Sequence, residues 1–236
     1  MISFIVPAYN EERLLARTLQ ALHIAAAVAE GYEIVVVDDA STDATAEVAR
    51  TGGARVLGVA HRQIAATRNA GARAARGNRY FFVDADTIVS EAVVRAALRA
   101  LDDGAVGGGA AVAFDGQVPR WAEVTLPAFV WGFRIAGLAA GCFLFCTKSA
   151  FDTVGGFDET LYAAEEIFMS RALKRHGRFV VLRQAVVTSG RKLRTYSATE
   201  LLRIVGPLAF RGWDAVRSRD GLEIWYERRR EEDSGA

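Results

Sequence analysis

The sequence predicts an α/β fold in which a doubly wound, mostly parallel sheet carries helices on both faces. The first observation is a series of short, continuous apolar runs, which is typical of strands buried on both sides. The second is that helical segments separate these runs, and right-handed crossovers then place helices on both faces. The third is that polar residues directly follow three of the runs. The predicted strands of this half are residues 2–6, 33–37, 55–59 and 79–83.

A helix is expected after each of these strands, because apolar residues recur there at helical spacing or a capping residue precedes the segment. Ser41, Thr42 and Asp43 are the candidate N-caps of the second helix, since their side-chain oxygens can accept from free N–H groups of a first turn. The predicted helices cover residues 12–29, a short stretch that ends at residue 50, residues 63–76 and residues 90–101.

The second half is predicted to add two strands and two helices. Gly107-Gly108-Gly109 lies in an apolar, strand-like run, where glycine permits a close backbone approach. The apolar stretch 126–146 is long enough to cross a bilayer, but Pro127 and Arg134 divide it into a helix and a strand. The predicted elements are a helix at 119–138, a strand at 142–147, a helix at 165–176 and a strand at 179–187.

The aromatic residues of the helix predicted at 119–138 allow two interpretations. We expect them to lie in the core, and the alternative is a surface that meets a lipid-linked acceptor or the membrane interface. They are Trp121, Phe129, Trp131 and Phe133.

The composition excludes some classes of function. The chain has 236 residues, of which 51% are apolar and 24% charged, and its net charge is +1. No basic stripe with interleaved aromatic residues is present, so we expect no nucleic-acid partner. The sequence enters the first strand without a secretory signal, which favours a cytoplasmic protein. The three histidines are scattered without zinc-ligand spacing.

Polar side chains follow the strands where a ligand of such a sheet binds, outside the carboxyl ends. Asp84 and Asp86 follow the strand 79–83, and residues two apart on a strand point the same way. Their hard oxygen ligands suit Mg²⁺ or Mn²⁺ that holds substrate phosphates. The alternative is an ordinary solvated loop. No dinucleotide-binding glycine pattern follows the first strand and no P-loop occurs, so a carboxylate-bound metal is left to neutralise phosphate charge.

Five motifs in this order resemble the large inverting family 2 of glycosyltransferases, which have the GT-A fold. The resemblance covers residues 4 to about 177 and is specific for the family rather than for a substrate. The motifs are Val6-Pro7-Ala8-Tyr9-Asn10-Glu11-Glu12, Val36-Val37-Asp38-Asp39-Ala40-Ser41-Thr42-Asp43, Arg68-Asn69-Ala70-Gly71, Asp84-Ala85-Asp86, and Gly155-Gly156-Phe157-Asp158-Glu159 with Glu165-Glu166 after it.

The resemblance implies a nucleotide-binding loop after the first strand. That loop wraps the base and ribose, and Asp39 accepts a hydrogen bond from the base. The alternative for Asp39 is that it caps a helix together with Ser41. The loop residues are Pro7, Ala8, Tyr9 and Glu11.

The resemblance also assigns basic and metal-binding residues. Arg68 contacts the nucleotide, whereas Arg62, Arg73 and Arg76 are expected to form a solvated face. Asp86 binds Mg²⁺ or Mn²⁺ directly. Asp84 contacts the ribose or reaches the metal through water. The metal acts as a Lewis acid on the departing diphosphate.

On the acceptor side, the loop from Gly155 to Glu159 enters the cleft, and its paired glycines allow a turn that other residues resist. The family usually has Glu-Asp where this sequence has Glu165-Glu166, so Glu166 is one methylene longer than expected. By that match Glu166 is the general base and Glu165 its support, and in-line attack inverts the anomeric carbon. The alternative is that both acids favour the helix dipole.

A basic segment follows the strand at 179–187. By resemblance, Arg191 and Lys192 neutralise the diphosphate by direct hydrogen bonds. No histidine lies there, so this sequence departs from the family members in which that segment supplies a third protein ligand to the metal. The alternative is a solvated basic turn.

The sequence therefore predicts a metal-dependent enzyme that moves a sugar from a nucleoside diphosphate sugar to an acceptor hydroxyl with inversion. The alternatives are a nucleotidyltransferase that makes an activated sugar and a non-catalytic nucleotide-sugar-binding domain. The acceptor is left open between a lipid-linked molecule and a saccharide, as are peripheral contact with the inner face of the membrane and the oligomeric state.

The predicted domain organisation combines this resemblance with the pattern of the C-terminal residues. A GT-A domain covers residues 1–195, with a nucleotide-binding half at about 1–104 and an acceptor half at about 105–195. A helical extension follows at 196–226, and a charged, disordered tail at 227–236.

Overall fold

The computed structural model describes residues 1–119, 121–123, 125, 132, 137–195 and 216–217. The helix predicted at 119–138, the extension at 196–226 and the tail at 227–236 lie mostly or wholly outside these residues. Of the extension, Val216 and Arg217 are described, and Val216 is buried against Leu161 and Ala163.

The described residues form alternating strands and helices, as predicted for the first half. The strands are β1 (Ile2–Ala8), β2 (Tyr32–Asp39), β3 (Arg55–Val59), β4 (Arg79–Val83), β5 (Thr87–Ile88), β6 (Gly107–Phe114), β7 (Phe143–Thr147) and β8 (Phe179–Thr188). The helices are α1 (Leu15–Ala25), α2 (Thr45–Thr51), α3 (Ile64–Ala74), α4 (Glu91–Asp102), α5 (Lys148–Val154), α6 (Glu165–His176) and α7 (Arg191–Thr195).

Within the described part of the chain, the strands form a single sheet in the order β3-β2-β1-β4-β7-β6-β8-β5. The neighbours β3, β2, β1 and β4 are parallel, as are β6 and β8. Strand β7 is antiparallel to both β4 and β6, and β5 is antiparallel to β8. The α/β sheet predicted from the sequence is confirmed as mixed and mostly parallel, with helices on both faces.

The core has two layers, because alternate residues of a strand point to opposite faces. Phe4 and Val6 of β1 pack in a layer that also contains α1 and α4. Ile5 packs in the other layer, with residues of α3, α5 and α6. The continuous apolar runs of the sequence therefore correspond to strands covered on both sides.

The glycine run of β6 allows close packing. A Cβ at Gly108 would lie 2.2 Å from the Val180 carbonyl oxygen of β8, so any larger residue would displace the neighbouring strand. The interpretation of this run as a close backbone approach is correct.

Two predicted helix boundaries are wrong. Helix α1 spans Leu15–Ala25 rather than residues 12–29, and a 3-10 turn at Ala26–Val28 follows it. The N-cap of helix α2 is Ala44, without a side-chain cap bond, but Asp43, one of the three candidates, does accept from the first-turn backbone N–H of Thr45 at 3.0 Å. Ser41 instead accepts from the Asn10 backbone N–H at 2.9 Å through its hydroxyl, because the two loops pack together.

None of the helices among the described residues is long and apolar enough to cross a bilayer.

Candidate functional site

Parallel strands bring the predicted polar residues to one edge of the sheet. Strands β1, β2 and β4 run the same way, so their carboxyl ends lie side by side. Pro7 and Ala8 end β1, and Asp39 ends β2. Asp84 follows β4, and its backbone N–H donates to the Cys142 carbonyl at 3.1 Å. The three motifs that follow β1, β2 and β4 therefore lie at one edge of the sheet.

Strained backbone conformations mark the same edge. Among the described non-glycine residues, positive φ angles occur at Asn10 (56°), Ala40 (57°), Arg62 (51°) and Ala164 (61°). Asn10 and Ala40 follow β1 and β2, while Arg62 and Ala164 precede α3 and α6. Such backbone angles cost energy and are kept only where the surrounding structure holds them in place, and they are common at binding sites.

Tyr9 and Arg62 form a stacked pair beside the end of β2. The guanidinium carbon of Arg62 lies 3.6 Å from the centre of the Tyr9 ring, a cation–π geometry. Asp39 is 5% exposed and accepts from the backbone N–H groups of Arg62 at 2.8 Å and Gln63 at 3.1 Å. It also accepts from the Thr67 hydroxyl at 2.8 Å.

These contacts correct two expectations. Arg62 is not part of a solvated face, because the turn before α3 places its side chain on Tyr9; Arg73 and Arg76 are exposed, as predicted. Asp39 does hold a helix start, but that of α3 and not of the helix after Ser41. No local sequence pattern predicts the Arg62 contact, because it joins residues far apart in the chain.

Helix α3 approaches the sheet closely enough to bury its polar face. A Cβ at Gly71 would lie 2.4 Å from Ile5 Cγ2 and 2.8 Å from Val37 Cγ2. Glycine therefore lets α3 pack directly on β1 and β2. This packing carries Arg68 and Asn69, which are three and two residues earlier, into the interior.

Arg68 is the central cation of the site and is only 1% exposed. It donates to Asp84 Oδ1 at 2.8 Å, to the Gly141 carbonyl at 2.7 Å and to Glu165 Oε1. Burial alone would lower the pKa of Arg68, but Asp84, Glu165 and Glu166 raise it. A buried charge needs such partners, so Arg68 stays charged and fixes the carboxylates around it.

Asp84 and Asp86 lie in the turn that follows β4, where the Thr87 backbone N–H donates to the Asp84 carbonyl at 3.1 Å, and their side chains are 31% and 14% exposed. The strand alternation expected to point both side chains the same way therefore does not extend to them. Arg191 Nη2 lies 3.2 Å from Asp86 Oδ2. The same guanidinium forms a bidentate ion pair with Glu11, in which Nη1 donates to Oε2 at 2.8 Å and Nη2 donates to Oε1. The Thr188 hydroxyl is 3.4 Å from Asp86 Oδ1. Each acid of the pair thus has an arginine counter-ion.

Hydrogen bonds to Asp115 hold helix α7 next to this acidic pair. The Gly190 backbone N–H donates to Asp115 Oδ1 at 2.8 Å, and Arg194 donates to the Asp115 carbonyl at 2.8 Å. Burial would lower the pKa of Arg191, but Glu11, Asp86 and Asp84 raise it. The solvated basic turn is therefore wrong for Arg191; the side chain of Lys192 lies outside the described residues.

The two acids at the start of α6 have different surroundings. Glu165 is buried and paired with Arg68. Glu166 is half-buried, and a Cβ at Gly141 would lie 3.3 Å from its carboxylate, so a larger residue there would push the carboxylate aside by a few tenths of an ångström. Burial, followed by the charge of Glu165, raises the pKa of Glu166 to about 8. The dipole explanation is incomplete, because Glu165 has a specific buried partner.

The carboxylate oxygens of the site can be compared with the ligands that a divalent metal requires. The described residues contain no group of three or more His, Cys, Asp or Glu side chains that could hold one. Asp84 and Asp86 still offer carboxylate oxygens on one edge, and Mg²⁺ characteristically binds one or two carboxylates together with substrate phosphates. The pair therefore fits a metal that arrives with a phosphorylated ligand.

The sequence has recognisable relatives. The profile of "Glycosyl transferase family 2" matches residues 3–151. The chain is 34% identical over 109 residues to validoxylamine A glucosyltransferase of Streptomyces hygroscopicus subsp. limoneus, which is 42% of this chain and 23% of that protein. It is 33% identical over 102 residues to poly(ribitol-phosphate) beta-glucosyltransferase of Bacillus spizizenii, which is 40% of this chain and 16% of that protein.

The fold has close structural counterparts. The mannosyltransferase PcManGT of Pyrobaculum calidifontis, solved with GDP-Man and Mn²⁺, aligns with a TM-score of 0.70 at 20% identity, over 86% of this chain and 59% of that one. S. aureus TarS 1-349 with UDP-GlcNAc aligns with a TM-score of 0.62 at 21% identity, over 80% and 58%. The alignments to the curated relatives span a quarter or less of those proteins. With the profile match across more than half of its length, the chain belongs to glycosyltransferase family 2 and has the α/β GT-A fold.

Proposed function

We propose that this protein transfers a sugar from a nucleoside diphosphate sugar to an acceptor hydroxyl, with inversion and with a divalent metal at the donor. The observation that carries the proposal is the position of Arg68. This buried cation contacts Asp84 at the strand edge and Glu165 at the start of α6, and so brings a phosphate-binding edge and a candidate base together.

The nucleotide is assigned to the loops after β1 and β2. Tyr9 and Arg62 provide a stacked surface, and Pro7 and Ala8 offer extended backbone beside it. Both carboxylate oxygens of Asp39 accept backbone hydrogen bonds from the loop before α3, and these bonds support the shape of the pocket. Oδ1 has a lone pair left to accept from an N–H of the base. The proposal is supported by the nucleotide-sugar ligands of the two structural counterparts.

The diphosphate is assigned to the acidic pair and α7. Asp86 and Asp84 would hold Mg²⁺ or Mn²⁺, which when bound supplies Lewis-acid stabilisation of the leaving diphosphate. Arg191 would leave Asp86 and Glu11 and turn to the phosphate oxygens, since guanidinium groups bind phosphate in a forked geometry. Lys192 is proposed to assist it.

Glu166 is assigned the proton transfer. Its carboxylate would accept the hydroxyl proton of the acceptor while the hydroxyl oxygen bonds to the anomeric carbon. The bond from that carbon to the diphosphate oxygen breaks, and the diphosphate leaves with the electron pair. A single displacement of this kind inverts the anomeric centre. The raised pKa of Glu166 suits a base that works near neutral pH.

The acceptor is proposed to be the hydroxyl of a lipid-linked molecule or of a saccharide. The lipid-linked form corresponds to the alternative interpretation of the aromatic residues in the helix predicted at 119–138, and it would also entail peripheral contact with a membrane.

The test incubates the protein with Mn²⁺ and a panel of UDP-, GDP- and dTDP-sugars, and follows release of nucleoside diphosphate. We expect one nucleotide class to release diphosphate slowly with water and faster with a suitable acceptor. A protein that no nucleotide stabilises against heat would contradict the proposal. Pyrophosphate release from a nucleoside triphosphate and a sugar phosphate would favour the nucleotidyltransferase alternative.

A further inference from the structure

Two amide side chains, those of Asn69 in α3 and of Gln63 directly before it, hold the segment that leads to Glu166. Asn69 is 6% exposed, and its Oδ1 accepts from the Phe157 backbone N–H at 2.9 Å. Its Nδ2 donates to the Phe157 carbonyl at 2.8 Å and to Glu159 Oε1 at 2.9 Å. Asn69 therefore satisfies both backbone groups of Phe157, as a neighbouring strand would.

Gln63 binds the same segment further along. Its Nε2 donates to the Leu161 carbonyl at 3.1 Å and to the Glu159 carbonyl. The segment ends at Glu165, which Arg68 holds. Three side chains, two from α3 and one from the residue before it, thus hold both ends of the stretch 157–165 by hydrogen bonds.

The start of this stretch is shaped to receive Asn69. Gly156 has a φ of +78°, and a Cβ there would lie 2.8 Å from Asn69 Oδ1. The Phe157 ring packs edge-on against Phe82 of β4, with ring centres 4.9 Å apart. The segment is therefore held by its backbone through Asn69 and by a side chain in the core.

We infer that Asn69 is a positioning residue, which sets the path of residues 157–165 and through it the place of Glu166 against the acceptor hydroxyl. This inference rests on the proposed function. Asn69 acts through hydrogen bonds to the segment and is not assigned a contact with donor or acceptor. A displacement of about 1 Å at a reacting group can reduce the rate about 10²-fold. Loss of the Asn69 hydrogen bonds should therefore lower turnover and leave the affinity for the donor unchanged.

The first variant is Asn69→Asp. Its Oδ1 still accepts from Phe157, but the second oxygen faces the Phe157 carbonyl and the Glu159 carboxylate, which repel it. We expect kcat to fall about 10²-fold, while the dissociation constant of UDP or GDP with Mn²⁺ stays within about twofold. Asn78→Asp is the matched control, since Asn78 is exposed and its side chain contacts the chain's N-terminal amino group.

A double variant distinguishes a positioning role of Asn69 from a general loss of structure. Adding Glu159→Gln to Asn69→Asp supplies an N–H donor opposite the new carboxylate and removes one negative charge. We expect this pair to regain about tenfold in kcat relative to Asn69→Asp alone, a gain that corresponds to about 1.4 kcal/mol. Loss of packing alone would not be repaired by this exchange.

Gln63→Met provides an independent variant if Asn69→Asp folds poorly. It keeps a buried side chain of similar size, adds no charge and removes the donors to Glu159 and Leu161. We expect a lower kcat with unchanged nucleotide affinity. The inference is overturned if both variants retain kcat within about threefold of the wild type, or if kcat and nucleotide binding fall together. A wild type that binds none of UDP, GDP and dTDP, and releases none of them from a sugar donor, overturns the proposed function, and this inference with it.

Discussion

Arg68 and Glu165 form a buried ion pair that connects α3 to the first turn of α6. Their side chains are 2% and 5% exposed. Because Arg68 also binds Asp84, one guanidinium holds two acids in place. Glu165 is the neighbour of the candidate base, and Asp84 belongs to the candidate metal-binding pair. The two halves predicted at about 1–104 and 105–195 thus meet at this residue.

Replacing Arg68 with methionine should destabilise the protein strongly. The change leaves Asp84 and Glu165 without their counter-ion, and breaking a buried pair in this way costs about 3–5 kcal/mol. The free energy of unfolding in urea measures the effect. Arg73→Met is the control, since Arg73 is exposed and its change should stay within about 0.5 kcal/mol. Equal urea midpoints for the two variants would contradict a structural role for Arg68.

Arg191→Gln should strengthen metal binding in the absence of nucleotide. Arg191 neutralises Asp86 and Glu11, so a cation at Asp86 has to compete with it. We expect the Mn²⁺ dissociation constant, measured by calorimetry, to fall about tenfold, or about 1.4 kcal/mol. Arg183→Gln removes the same charge from an exposed position of β8 and should leave Mn²⁺ affinity unchanged. Identical affinities in the two variants would exclude competition between Arg191 and the metal.

Glu166→Gln should retain nucleotide binding and lose turnover. Glutamine has the same shape but cannot accept the hydroxyl proton, and a general base contributes about 10²–10⁴-fold in rate. Steady-state kinetics with a competent acceptor measure the loss. Glu47→Gln on the exposed face of α2 is the matched control. Full transfer by Glu166→Gln would show that the base is misassigned, and Glu165 would then be tested.

The same variant should show a pH-dependent gain in stability. Because the folded protein raises the pKa of Glu166 to about 8, the folded state holds a proton that the unfolded state releases near the ordinary value. The wild type therefore loses stability as the pH rises from that value to about 8. Glutamine does not titrate, so Glu166→Gln should unfold at a higher temperature at about pH 8.5 and match the wild type at about pH 4.

The difference is measurable by calorimetry, because 1 kcal/mol shifts the midpoint of a protein of this size by about 2–4 °C. A midpoint difference that does not change with pH would show that Glu166 has an ordinary pKa.

Elements with strong local signals were predicted well from the sequence. Strands β3 and β4 match the predicted residues, since each is a short apolar run between breakers. Helix α6 also matches, because acids begin it and basic residues end it. The strand ends then follow from the parallel order of the sheet, which places the acidic motifs together.

Contacts between distant residues were not predictable. Arg62 lies on Tyr9 because a positive φ turns the loop before α3, and no local pattern encodes that angle. Arg191 and Glu11 are 180 positions apart in the chain. The roles of these arginines depend on how loops pack, which periodicity and spacing do not report.

The most direct test of the account titrates UDP and GDP into the wild type and into Asp86→Asn, each with and without Mn²⁺, by calorimetry. We predict that one nucleotide binds the wild type in a Mn²⁺-dependent way, and that Asp86→Asn weakens this binding at least about tenfold. Nucleotide binding that is the same with and without Mn²⁺, or the same in the two proteins, would contradict a metal-assisted donor site at Asp86.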